Sequence, residues 1–303
     1  MAAHSKRLIL VAALLAIGGL KASGSRSDAH LGAAQADVPP SARRVISLVP
    51  AVTEMLFAIG AGPQVVGVGS YDDVPPDVTL PRVGALLNPD MERMLSLRPD
   101  LAVVYGSQSD QQTQLGSAGI RTYSYRHAGL AGVFDTLQAL GALVGRSAEA
   151  DRVALGLRAQ IEAVGARVKG RPRPRTLLVF DRDPASLRGI YVSGGRGFLH
   201  DILGVAGGRN VFEDVDREAV QPSLETLLAR APDAILEIRA TGLLGPDETP
   251  GDEPDVWSRL ASVPAVKTRR IYRLRGQHLV VPGPRLGLAA EAFARVLHPE
   301  AFK

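Results

Sequence analysis

The stretch from Ala131 to Lys169 constrains the fold most, because it contains no proline and its second half carries a helical apolar pattern. The apolar residues of that half recur at spacings of three or four: Val153, Leu157, Ile161, Val164 and Val168. The spacing predicts one helix over 147–169, with Ser147 as its N-cap and Gly170 at its end. It would extend about 34 Å. That length suits a strut between two domains; the alternative is a long surface helix of a single domain.

Short apolar runs alternate with helical segments on both sides of this stretch. The predicted strands are 45–49, 65–68, 101–105 and 120–125 before it, and 176–180, 234–238 and 270–274 after it. The predicted helices are 54–59 (with Thr53 as N-cap), 197–203 and 286–297. Strands separated by helices predict parallel sheets with covering helices. The predicted fold class is α/β, with two lobes of central, mainly parallel sheets (37–130 and 171–303) bridged by one long α-helix within 131–170.

The two halves also share a repeated pattern. Pro89, Glu92 and the pair Pro99-Asp100 in the first half have counterparts 133 residues later in Pro222, Glu225 and Pro232-Asp233. In each copy a helix lies between the two prolines and a strand follows the Pro-Asp pair. The repeat predicts two similar lobes, and a two-lobed protein has its ligand cleft at the lobe junction.

The N-terminus has the pattern of a secretory signal. Lys6 and Arg7 precede the apolar run 8–20, and small and polar residues follow. Cleavage is expected after Gly24 or Ala36, and we favour Ala36, which makes 1–36 the leader. The apolar run is short for a membrane span of about 20 residues, although an uncleaved anchor is the alternative. The mature protein is therefore expected in the periplasm, and the chain has no cysteine for disulfides or thiolate metal sites.

Charge and motifs disfavour several function classes. The net charge is only +4 and no long basic run occurs, so we expect no nucleic-acid partner. The Gly-rich segment 194–197 lacks the lysine of a phosphate-binding loop, and no nucleophile elbow is present. The histidines after the leader have no metal-ligand spacing. We assign His127, His200 and His298 to surface or capping positions, and His278 is the exception. We predict no catalytic residue, resident metal or cofactor; a secreted α/β enzyme stays an alternative because triads cannot be read from spacing.

Several segments together resemble one known family. They are 44–54, 66–75, 91–101, 205–212 and the pair Pro284-Arg285. From Arg43 to Lys303 the chain resembles the cobalamin/iron-siderophore class of periplasmic binding proteins, and within it the cobalamin-binding branch. The resemblance implies a non-enzymatic, monomeric protein that delivers a small molecule to the permease dimer of an ABC importer and its ATPase.

The resemblance also implies roles for single residues. Glu92 and Glu225 match the carboxylates, one per lobe, that dock onto arginines of the permease; helix-dipole stabilisation alone is the other interpretation. The residues that match ligand-pocket positions are Tyr71, Asp72, Tyr105, Tyr191, Gln277, His278 and Arg285. Gln277 stands where the cobalamin branch has an acidic residue, and two tryptophans of that branch are absent.

The ligand class is open at this point. Flat aromatic walls favour cobalamin or another tetrapyrrole-like metal complex. Haem is an alternative, with Tyr71 or His278 as axial ligand. A ferric siderophore is another alternative, because it would need cations such as Arg182, Arg188 or Arg285.

Overall fold

The computed structural model describes residues 40–240 and 255–303 of the chain. The predicted leader, 1–36, and its cleavage points lie outside these residues, as does most of the acidic loop that precedes Trp257. Within the described ranges, no helix combines the length and the apolar character that crossing a membrane requires.

The first lobe has six strands: β1 Val45–Ser47, β2 Val65–Val68, β3 Gly84–Ala85, β4 Asn88–Pro89, β5 Leu101–Tyr105 and β6 Arg121–Tyr125. Four of them form a parallel sheet with the order β2-β1-β5-β6, and β3 and β4 form a small separate hairpin. The helices of this lobe are α1 Pro50–Ala58, α2 Met91–Ser96 and α3 Ser109–Ser117. The central strands β1 and β5 are almost wholly buried, as their continuous apolar runs predict for a covered parallel sheet.

Two consecutive helices, α4 Leu130–Val144 and α5 Ser147–Val168, connect the lobes. The strands of the second lobe are β7 Arg175–Asp181, β8 Tyr191–Ser193, β9 Arg209–Asn210, β10 Ala219–Val220, β11 Ala234–Arg239 and β12 Ile271–Arg275. They form a mixed sheet with the order β10-β8-β7-β11-β12, in which β7, β11 and β12 are parallel and β9 also pairs with β7. The helices of this lobe are α6 Phe198–Val205, α7 Leu224–Arg230, α8 Pro264–Lys267 and α9 Leu286–Leu297.

The predicted α/β class, with two sheets and one long helix between them, is confirmed. The domain boundaries at 37–130, 131–170 and 171–303 stay a prediction. Helix α5 buries most of the predicted apolar face, and Gly170 follows it with a φ of 77°. The prediction of Ser147 as N-cap was wrong by one residue: Arg146 takes that position, because Gly145 already ends α4 in a left-handed conformation.

The first helix also begins earlier than predicted. It starts at Pro50, because proline lacks an N–H and is tolerated in the first helical turn. Thr53 therefore lies inside the helix and is not its N-cap, which corrects the prediction. Its hydroxyl donates a hydrogen bond to the Asp72 carboxylate instead.

One large apolar core runs through both lobes. It includes Met55 of α1, Leu137 of α4, Leu157 of α5 and Phe293 of α9, and it continues to Leu236 in the second sheet. Gly141 allows α4 and α5 to approach closely, because a Cβ there would lie 2.6 Å from the Ala150 Cβ. The two lobes thus share a packed helical layer.

The predicted repeat has a structural counterpart. Helices α2 and α7 are both capped by a side chain: Asp90 accepts a hydrogen bond from the Arg93 N–H, and Ser223 from the Thr226 N–H. Each is followed by a residue of positive φ that is not glycine, Arg98 at 47° and Ala231 at 44°.

The two copies also end alike. The carboxylate after each helix accepts backbone hydrogen bonds from the start of the lobe, Asp100 from Arg44 and Asp233 from Arg175. The similarity of the two copies therefore extends from sequence to hydrogen bonding.

Candidate functional site

Three tyrosines lie where strands of the first sheet end. Tyr105 and Tyr125 are the last residues of β5 and β6, and Tyr71 follows β2 by three residues. Because these strands are parallel, their carboxyl ends meet at one edge of the sheet. Ligands of open α/β sheets bind at this edge.

Asp72 lies beneath the Tyr71 segment and is almost fully buried. Its carboxylate accepts a hydrogen bond from the Thr53 hydroxyl, and its carbonyl accepts one from Arg82 Nη1. Burial raises the Asp72 pKa to about 7, although the Thr53 hydrogen bond and the Arg82 charge act in the opposite direction. The group therefore exchanges its proton near neutral pH, and its carboxylate is engaged within its own lobe.

Tyr105, Tyr125 and His127 form a cluster of neutral rings. Tyr125 contacts both others edge to face, with centroids 5.9 Å from Tyr105 and 5.3 Å from His127. Burial raises the pKa of both tyrosines and lowers the pKa of His127 to about 4. Neither ring nitrogen of His127 has a hydrogen-bond partner among the residues that the structure describes.

The sequence assigned no role to Tyr125, and it grouped His127 with histidines of the surface or helix caps. The His127 ring nitrogens are instead buried against the two tyrosines. A usable signal was present, because Tyr125 ends a predicted parallel strand just as Tyr105 does and His127 follows two residues later.

The second lobe places the remaining predicted residues at the corresponding edge. Tyr191 pairs with Asp181 at the carboxyl end of β7, and its ring lies 6.3 Å from that of Phe180. Gln277 and His278 follow β12 in a short 3-10 turn, where Gln277 is buried and His278 is partly exposed. Burial and the Arg285 charge lower the His278 pKa, which keeps the imidazole neutral at pH 7.

An ion pair joins the two edges. Arg285, at the start of α9, donates from Nε to Oε2 of Glu54 at 3.0 Å and from Nη2 to Oε1 at 2.5 Å. Glu54 belongs to α1 of the first lobe, and its side chain is only 10% exposed. Burial raises the Glu54 pKa, whereas the hydrogen bond and charge of Arg285 lower it. Arg285 is therefore held by a carboxylate at the lobe junction.

Arg182, another cation considered for the ligand, lies at the end of β7. Its guanidinium is buried against Glu237 of β11, with Nη2 at 3.1 Å from Oε2, and Arg273 also donates to this carboxylate. Burial raises the Glu237 pKa, but the hydrogen bonds and charges of the arginines outweigh it and lower the pKa overall. Two of the three cations considered for a siderophore are thus neutralised by carboxylates.

Glu92 and Glu225 occupy equivalent exposed positions, each the second residue of its helix, α2 or α7. Neither carboxylate has an ion pair or hydrogen bond with any residue of 40–240 or 255–303. Each helix directly precedes a parallel strand and must run back along the sheet. Its N-terminus therefore lies at the carboxyl edge that holds the tyrosines.

Backbone contacts agree with this placement. Gly84 accepts a hydrogen bond from the N–H of Ser70, which is next to Tyr71, and Asp90 at the start of α2 donates to Val83. In the second lobe, Val220 pairs with Val192, which is next to Tyr191, and α7 begins four residues after Val220. The structure thus places each glutamate near the carboxyl edge of its own sheet. The roles of both glutamates and of the seven predicted ligand residues stay predictions.

Two α/β lobes on a shared helical layer, with uncharged aromatic side chains at both sheet edges, define a two-lobed solute-binding protein. Comparison with known proteins gives the family. Residues 45–278 match the model of the periplasmic binding protein family, and the chain belongs to that family.

Curated relatives fall in the same group. A vitamin B12-binding protein of Salmonella typhimurium is 32% identical over 260 residues, which are 85% of this chain and 91% of that protein. An ABC transporter substrate-binding lipoprotein of Bacillus subtilis is 27% identical over 272 residues, 86% of this chain and 82% of that protein.

Solved structures share the fold. The vitamin B12-binding protein BtuF of Vibrio cholerae has a TM-score of 0.71 at 24% identity, covering 86% of this chain and 98% of its own. The heme-binding protein HutB of the same organism has a TM-score of 0.72 at 23% identity, covering 84% and 99%. The fold is therefore common to proteins named for different ligands.

The buried Asp72 predicts a specific pH dependence of stability. Because its folded pKa of about 7 exceeds the ordinary value, the folded state binds more protons between about pH 4 and 7. The contribution of Asp72 to stability is then present at low pH and is lost as the pH rises through 7. The free energy of unfolding, measured with denaturant, should therefore fall by about 3 kcal/mol between pH 5 and 8 because of this group, and Asp72→Asn should abolish that fall.

The exposed neighbour Asp73 supplies the control. Asp73→Asn should keep most of the wild-type pH dependence. Equal pH profiles for wild type and Asp72→Asn would contradict the assignment.

The Glu54–Arg285 pair predicts energetic coupling between the lobes. A double-mutant cycle with Glu54→Gln and Arg285→Met should give a coupling free energy of about 1 kcal/mol, because the carboxylate is largely buried while the arginine is partly exposed. The exposed pair Glu291–Arg295 on α9 is the matched control, with an expected coupling of about 0.3–0.5 kcal/mol. Coupling no larger than that of the control would mean that the lobes are not joined here.

Proposed function

We propose that this protein is the solute-binding component of an ABC importer, that it captures a corrinoid such as cobalamin between its lobes, and that it delivers the ligand to the permease dimer. The observation that carries the ligand class is the cluster of three neutral rings at the carboxyl edge of the first sheet, in which the partly exposed Tyr105 and His127 pack on the buried Tyr125. Neutral aromatic surfaces suit a large, weakly charged ring system.

The state of the arginines supports a corrinoid over a ferric siderophore. An anionic siderophore requires free cations, but Arg182 is neutralised by Glu237 and Arg285 by Glu54. The curated relative from Salmonella typhimurium, named for vitamin B12, favours the same choice.

Haem is the second candidate, and one observation favours it. His127 has a pKa of about 4, so its imidazole is neutral at pH 7, as an iron ligand must be. Neither of its ring nitrogens has a hydrogen-bond partner among the described residues. Tyr71 and His278 also remain candidate axial ligands. Several proteins of this fold are named heme-binding proteins.

The proposal assigns binding and delivery to the chain, and no catalysis. Membership of the periplasmic binding protein family supports a location outside the cytoplasm, and the name of the Bacillus subtilis relative supports an ABC transporter as partner. Cobalamin or haem would be cargo and not a resident cofactor. We expect a monomer that presents Glu92 and Glu225 to the permease.

A ligand titration tests the first part. Purified protein titrated with cyanocobalamin should give a saturable heat of binding, whereas haemin should give no Soret shift. Tyr191→Ala should weaken binding about tenfold or more, because it removes a ring of the cleft, and Tyr191→Phe should retain most of the affinity. A Soret shift with haemin, without binding of cyanocobalamin, would show that haem is the ligand. No response to either compound would refute both the corrinoid and the haem proposal.

Charge reversal tests the docking. Glu92→Arg and Glu225→Arg should together abolish uptake into proteoliposomes that contain the permease and its ATPase, since each places a cation opposite the arginines expected on the partner. Ligand affinity should not change. Glu162→Arg combined with Asp151→Arg, at two exposed positions of α5, controls for the same change in net charge. Normal uptake by the double variant would refute the docking role.

A further inference from the structure

Exposed leucines concentrate on the two short helices that carry Glu92 and Glu225. The large apolar side chains that are exposed in the described part of the chain are Leu87, Leu95, Leu155, Leu224, Leu228 and Leu288. Three of these six lie on α2 and α7, although both helices are among the shortest in the protein. Clustered exposed apolar residues mark interaction surfaces, whereas single ones need no explanation.

Leu95 and Leu228 occupy equivalent positions. Each follows its glutamate by three residues, so that carboxylate and leucine are neighbours on one helix face. Their exposed fractions are nearly equal, 41% and 40%. The residue before each leucine, Met94 or Leu227, is buried and fixes the rotation of the helix.

Both helices are held rigidly at their C-terminal ends as well. Arg44 Nη2 donates to the Leu97 carbonyl at 2.6 Å, and Arg175 Nη2 donates to the Arg230 carbonyl at 2.6 Å. Leu97 and Arg230 correspond under the 133-residue repeat. Corresponding carbonyls are thus capped by arginines in both lobes, and each Glu–Leu pair lies on a helix that is held in the same way within its own lobe.

We propose that Leu95 and Leu228 are apolar anchors of the permease contact, each inserting beside the cation that receives the neighbouring glutamate. The inference rests on the proposed docking function, and its occupant is the periplasmic face of the permease dimer. Exposed ion pairs contribute little affinity because water and salt screen them; they mainly raise the association rate. Burial of leucine is not weakened by electrostatic screening, so the anchors slow dissociation at every salt concentration.

The two patches are not the same size. Leu224 is exposed and lies one helical turn before Leu228, so the two form a continuous apolar strip. The corresponding residue in α2 is Met91, which is partly buried against the core of its own lobe. The patch on the second lobe is therefore larger, and its loss should have the larger effect.

The test separates association from dissociation. The permease–ATPase complex in nanodiscs is immobilised, and cyanocobalamin-loaded protein is injected at several salt concentrations. Leu95→Gln and Leu228→Gln should each raise the dissociation rate about tenfold, more for Leu228→Gln, with little change in the association rate. Glu92→Gln and Glu225→Gln should instead lower the association rate and flatten its salt dependence.

Leu155→Gln and Leu288→Gln are the matched controls, because these leucines are 65% and 51% exposed but lie on α5 and α9. They should bind like wild type, and all four leucine variants should keep the wild-type affinity for cyanocobalamin. Dissociation rates for Leu95→Gln and Leu228→Gln equal to those of the controls would overturn the anchors. If the glutamate variants still showed slower association, the proposed docking function would stand; if they also behaved like wild type, both proposals would fall.

Discussion

The packing of α5 against α4 and α9 is the constraint on which the rest of the structure depends. Its buried face belongs to the same apolar core as residues of both sheets, so each lobe is anchored to a common helical layer. A lobe cannot rotate far without exposing this core, which costs about 25 cal/mol per Å² of apolar surface. The loss of this burial therefore opposes a large hinge rotation of one lobe against the other.

The chemistry of the cleft follows from where charges are paired. Carboxylates neutralise Arg285 and Arg182, while burial keeps Tyr105, Tyr125 and His127 uncharged. Uncharged rings therefore lie at the carboxyl edge of the first sheet, where Tyr105 and His127 are partly exposed and Tyr125 is buried. Glu92 and Glu225 are exposed charges near the carboxyl edges of the two sheets.

Sequence reasoning succeeded where the signal is local. The spacing of apolar residues predicted α5 and α9 almost to the residue, and the parallel strands followed from short apolar runs. It failed where a side chain has a distant partner: the Thr53 hydroxyl bonds to Asp72, and Arg285 pairs with Glu54 from the other end of the chain. His127 was misjudged because burial of its nitrogens depends on how two neighbouring strands place their tyrosines.

The matched arginine caps on Leu97 and Arg230 have a consequence for how encounters succeed. Each helix that carries a Glu–Leu pair is fixed in the same way relative to the sheet of its own lobe, so the protein offers a partner two matched patches. A partner with two-fold symmetry, which has two copies of one site, could engage both patches at once. The apolar strip of Leu224 and Leu228 exists in the second lobe only. The two monomers of such a partner would therefore make different contacts with this protein, and the complex would not be symmetric.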